Sequence, residues 1–77
     1  MAMNSIKKIF AVKNSKDLIH RVRHILRKNK SVLSNQVVEL AEKEILNSQN
    51  AIKDGNVSNI KATYNSLNDF LDQNLKD

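Results

Sequence analysis

The sequence predicts an all-α protein: an antiparallel helical hairpin preceded by a basic amphipathic helix, most simply joined as a three-helix bundle. Three observations lead there. Val38, Ala41, Ile45, Ser48 and Ile52 recur at spacings of three and four, and Val57, Ile60, Tyr64, Leu67 and Leu71 repeat the pattern. Such stripes are the apolar seam of two helices packed lengthwise. Gly55, the only glycine in 77 residues, stands between the two stripes. Proline is absent, so nothing in the chain forces a helix to break.

Composition narrows the choices further. A chain of 77 residues is one small domain at most. It buries only about 60% of the surface its unfolded form exposes, so its stability is marginal unless a partner helps. Cysteine is absent, which removes disulfides and thiolate metal sites and fits a reducing, cytoplasmic setting. Phe10, Tyr64 and Phe70 are the only aromatic residues, so the core must be aliphatic. No apolar run approaches the roughly 18 residues of a membrane span. At the N-terminus, Lys7 and Lys8 precede only a short apolar run from Ile9 to Val12, too short for a secretory signal.

The net charge of +5 hides a division. Residues 1–30 hold nine Lys and Arg against Asp17 alone, a net +8, whereas residues 31–77 hold four lysines against seven carboxylates, a net −3. A basic first part is joined to a mildly acidic hairpin.

Taken in order, residues 1–13 read as a short or frayed basic segment in which Met3, Ile6 and Phe10 fit one helical stripe. Asn14 or Ser15 is placed to cap a helix over about 15–29, with Asp17 in its first turn where the dipole favours negative charge. Leu18, Val22, Ile25 and Leu26, widened by Ile19, form its apolar face; Arg and Lys cover the rest. Ser31 or Ser34 can cap a second helix, about 34–54, on which Glu39 and Lys43 stand at i, i+4. Gly55 can end it in a left-handed conformation without a Cβ penalty. Asn56 or Ser58 caps a third helix, about 57–75, which frays at Lys76 and Asp77.

Two positions in the seam are polar or small. Facing across the hairpin, Tyr64 is expected near Ser48, where the two hydroxyls could pair, and Ala41 near Leu71. Val37, Leu40, Leu46, Phe70 and Leu75 exceed what two helices can bury, so the Leu18–Leu26 face is expected to pack there as the third helix. The competing arrangement is an extended first helix, with the surplus covered by a second copy or another partner.

Candidate chemistry is sparse. His20 and His24 have the i, i+4 spacing of two metal ligands, but Arg21 stands where H-E-x-x-H needs Glu, and no third ligand is identifiable. The reading is two histidines on a basic face, with no metal and no cofactor. Glu39, Glu42, Glu44, Asp69 and Asp72 read as a solvated acidic face, since no nucleophile or phosphate loop accompanies them. The strongest functional pattern is Arg21, Arg23, Arg27, Lys28 and Lys30, because guanidinium groups pair with phosphate oxygens and supply non-specific nucleic-acid affinity. No aromatic interleaves with these charges, as single-strand platforms need.

Residues 47–75, with Ile52-Lys53-Asp54-Gly55-Asn56-Val57 at the turn and Ile60, Leu67 and Leu71 after it, resemble the helical hairpins of the Hsp70-type C-terminal lid. They are also similar to soluble hairpins that precede the membrane segment of some bacterial signal peptidases. The resemblance implies a non-catalytic interaction or lid-like element and carries over no functional residue.

The expected function is therefore a non-enzymatic helical interaction module. A protein partner or a second copy would contact Val37, Leu40, Leu46, Phe70 and Leu75. The alternatives are nucleic-acid binding through the five basic residues and docking of the segment from Ile6 to Leu26 on an anionic membrane surface.

Overall fold

The computed structural model describes residues 2–75, with side chains from residue 6 onward. Three helices follow one another: α1 (Ala2–Lys28), α2 (Asn35–Asp54) and α3 (Val57–Asn74). No strand occurs among the described residues. Each helix packs on both others, giving a rod 46 Å long and 17 Å across. The fold is thus the three-helix bundle, with α1 laid against the hairpin instead of standing clear of it. The side chain of Met3 and the fraying expected at Lys76 and Asp77 lie outside the described residues.

The hairpin forms within a residue of the expected limits. Ser34, with φ −69° and ψ 152°, caps α2 by accepting a hydrogen bond from the Val37 amide at 3.2 Å. Asn56 does the same for α3, accepting from the Asn59 amide at 3.1 Å. Each satisfies a donor that the first helical turn leaves open. Between them Gly55 takes φ 84°, and its amide donates to the Ala51 carbonyl at 3.0 Å, closing α2 in a left-handed cap. Ser66 on α3 donates to Glu44 on α2, close to the register that sets Ala41 level with Leu71.

The start of α1 differs from the expectation. Neither Asn14 nor Ser15 caps anything, because the helix runs unbroken from Ala2. With no glycine or proline in this stretch, the backbone has no reason to stop. The Ser15 side chain turns into the core and is fully buried. Asp17 pairs with Lys13 at 3.0 Å across one helical turn, a link that spans the supposed boundary. At the other end Asn29 organises the connection to α2. Its side-chain amide donates to the Ile25 carbonyl, and its own carbonyl accepts from the Val32 and Leu33 amides, at 3.0, 3.0 and 3.1 Å.

The core lies in two tiers. Leu18, Ile19, Val22 and Leu26 of α1 meet Ala41 and Ile45 of α2 and Leu67, Leu71 and Leu75 at the end of α3. Nearer the hairpin turn, Ala11, Ala51 and Ile60 form a separate and much smaller cluster. In each helix the residue between the tiers is polar: Ser15, Ser48 and Tyr64. The two serine hydroxyls are buried with no hydrogen-bond partner. The expected Tyr64–Ser48 pairing therefore does not form. Tyr64 is turned to the α1 side, where it lines grooves with Asn14 and Arg21.

Two stability changes follow. Ser48→Ala should raise the unfolding free energy by about 1 kcal/mol, since it removes a buried hydroxyl that makes no bond and improves helix propensity. Gly55→Ala should lower it by about 1–2 kcal/mol, the cost of a left-handed residue with a Cβ. The nearest obstacle to that Cβ is the flexible end of Lys8, Nζ at 2.9 Å, which can move aside. Urea unfolding followed by circular dichroism checks both.

Candidate interaction surface

The residues of α1 divide by angle. At about 100° per residue, Ala11, Ser15, Leu18, Val22 and Leu26 share one side, and all are buried. Across the helix, Ile6, Ile9, Lys13, Lys16, His20, Arg23 and Arg27 repeat the same three-and-four spacing, and all are exposed. This outer stripe changes character along its length: apolar over its first two positions, then basic to the end of the helix. It makes α1 the least amphipathic of the three helices, because its apolar residues lie on both sides.

The length of α1 accounts for part of the apolar tip. α1 has 27 residues and α2 has 20, so α1 is longer by about 10 Å at 1.5 Å per residue. Lys8 already reaches Gly55 at the turn of the hairpin. Ile6 lies before Lys8 in the helix, whereas Ile9 and Phe10 follow it and owe their exposure to the sides of α1 that they occupy. Ile6, Ile9 and Phe10 are 51%, 64% and 58% exposed. Phe10 lies on the flank facing α3, beside an open groove of about 380 Å³ lined also by Lys7, Asn14, Lys61 and Tyr64.

The five basic residues expected to bind nucleic acid are all exposed, but they do not form one patch. Arg23 and Arg27 border the α1–α2 groove with Glu42, Leu46 and Gln49. Arg21 borders the α1–α3 side with Tyr64 and Asn68. Lys28, seven residues on from Arg21, follows it on that flank, and Lys30 lies in the connection. Among the described residues the single ion pair is Lys13–Asp17. Glu42 shares a groove with Arg23 and Arg27 yet pairs with neither, and Glu39 does not reach Lys43. The acidic hairpin thus leaves the cations of α1 uncompensated. Two of those cations, Arg27 and Lys28, occupy the last turn of α1, where the helix dipole favours positive charge.

The apolar residues expected to meet a protein are mostly used inside the bundle. Leu75 is buried, 5% exposed, and closes one end of the larger core tier, its amide donating to the Leu71 carbonyl. The surplus it represented is what α1 covers. Val37 and Phe70 are half-buried against the same tier. Leu40 and Leu46 remain exposed, but six residues on α2 set them about 120° apart, on different sides of the helix. The larger exposed apolar group is Ile6, Ile9 and Phe10, in the segment whose helical stripe the sequence already contained.

Other clusters are absent among the described residues. No three His, Cys, Asp or Glu side chains gather closely enough to hold a metal ion, and His20 and His24 stand exposed on the outer side of α1. No described helix is long and apolar enough to cross a membrane.

Comparison with known proteins finds no matching family model, curated protein or solved structure.

Because Arg23 and Arg27 hold no partner within the bundle, Arg23→Ala together with Arg27→Ala should shift the unfolding free energy by no more than about 0.5 kcal/mol. Thermal unfolding of the double variant beside the parent measures this.

Proposed function

We propose that this protein is a small, non-catalytic helical binding module that works through the outer side of α1 on a partner bearing negative charge. The observation that carries this reading is the uncompensated charge of one helix. Of the eight cations on α1, only Lys13 has a carboxylate within ion-pair distance among the described residues, and that carboxylate belongs to the same helix. A surface built only to stay dissolved mixes both signs. Here nine cations in the first 30 residues meet one acid.

Contact with a protein partner or a second copy through the hairpin has less in its favour. Leu40 and Leu46 are the exposed residues left for it, and they face apart. Two copies joined through α1 would bring like charges together. Nucleic acid is the second reading, favoured by Arg21, Arg23, Arg27, Lys28 and Lys30. A cytoplasmic setting belongs to the proposal and rests on the absence of cysteine.

Retention on a heparin column tests the charged surface without assuming which anion it meets. The parent should elute at well above physiological salt, and the variant Arg23→Glu, Arg27→Glu should elute much earlier while keeping its helical circular dichroism. Equal elution of the two would remove α1 as the working surface, as would elution of the parent without added salt.

A further inference from the structure

We infer that α1 docks lengthwise on an anionic lipid surface, with Ile6 and Ile9 entering the headgroup–acyl boundary, Phe10 reaching it from the α3 flank beside them, and the cations behind them lying on the headgroups. This rests on the binding reading above and names the partner of the same surface. The argument starts from the order of residues along one stripe. Ile6 and Ile9 continue directly into Lys13, Lys16, His20, Arg23 and Arg27, at alternating spacings of three and four and on the same side of one continuous helix. A partner that met only the charges would leave the tip exposed, and one that met only the tip would leave the charges uncompensated. An anionic bilayer satisfies both at once, because its apolar interior and its negative headgroups lie within a few ångströms of each other.

Shape favours the same partner. The outer side of α1 is one long flank of a rod 46 Å long, with the hairpin behind it. A rigid protein would need a matching groove to cover a convex helix, whereas lipid headgroups rearrange around one. Long Lys and Arg side chains can lay their stems along the boundary and keep their charges in water. Nucleic acid fits less well: it has no use for exposed isoleucines ahead of the basic stripe, and the one aromatic residue of α1, Phe10, stands at the apolar tip and not among Arg21, Arg23, Arg27 and Lys28. The module would lie on the membrane and not span it, since no described helix is long and apolar enough to cross.

The test uses the whole chain and vesicles of phosphatidylcholine with or without phosphatidylserine. A Phe10→Trp variant supplies a reporter, as the protein contains no tryptophan. Cosedimentation with phosphatidylserine vesicles, a blue shift of the tryptophan emission, and little binding to phosphatidylcholine alone are expected. Ile9→Asp with Phe10→Asp should lower the partition coefficient at least tenfold, and so should Arg23→Glu with Arg27→Glu. All four positions are exposed, so both variants should keep their helical content. Binding to neutral and anionic vesicles alike overturns the inference, as does vesicle binding without a blue shift or with no loss in the Ile9, Phe10 variant. Failure to bind vesicles with heparin retention intact also overturns it, while leaving the charged surface standing. Tight binding of duplex or single-stranded nucleic acid in that case would identify the anion as nucleic acid.

Discussion

Burial of one aliphatic stripe from each of three helices is the constraint on which the rest of this structure depends. With three aromatic residues in the chain, none of them fully buried, the core is built from Leu, Ile, Val and Ala. Val22, Ile60 and Leu67 are completely inaccessible, one contributed by α1 and two by α3. Ala41 in one tier and Ala51 in the other let α2 approach closely enough for these side chains to fill the space. Once α1 has committed its inward side to this contact, its outward side is fixed by the helical repeat alone. The basic stripe is therefore displayed by the same packing that holds the bundle together, and the placement of Arg23 needs no further device.

Much of this was legible before any coordinates. Gly55 marked the reversal because it is the one glycine of the chain, the residue for which a positive φ carries no Cβ penalty. Ser34 and Asn56 were among the expected caps because a polar side chain directly ahead of an apolar stripe has a clear physical role. What misled was residues 14–17. Asn-Ser-Lys-Asp has the composition of a helix start, and composition does not reveal that Ser15 is turned inward by packing against α2 and α3. Leu75 misled for a related reason. At the end of a helix it could have been either surface or closure, and only the third helix settles it as closure.

The candidate surface was legible in part. The charge imbalance between the two halves is plain in the sequence, and the basic residues are exposed as expected. Their distribution over both flanks of α1 was not, since it depends on which way the helix faces. The membrane alternative already ran from Ile6 to Leu26, but with residues 1–13 read as a separate frayed piece it had no single helix to carry the apolar tip and the basic stripe. Continuity of α1 through Ser15 is what puts Ile9 and Lys13 on one line.

The serine layer between the two core tiers has a consequence for motion. The tier under the first half of α1 consists of Ala11, Ala51 and Ile60, with Val12 beside it, whereas the other tier holds nine buried side chains. The layer between them contributes two hydroxyls that gain nothing from being enclosed. Cooperativity should therefore weaken at that boundary, making each side a foldon of unequal strength. The leading turns of α1 should then lift from the hairpin at lower cost than the remainder unfolds, a hinge set by the serine layer.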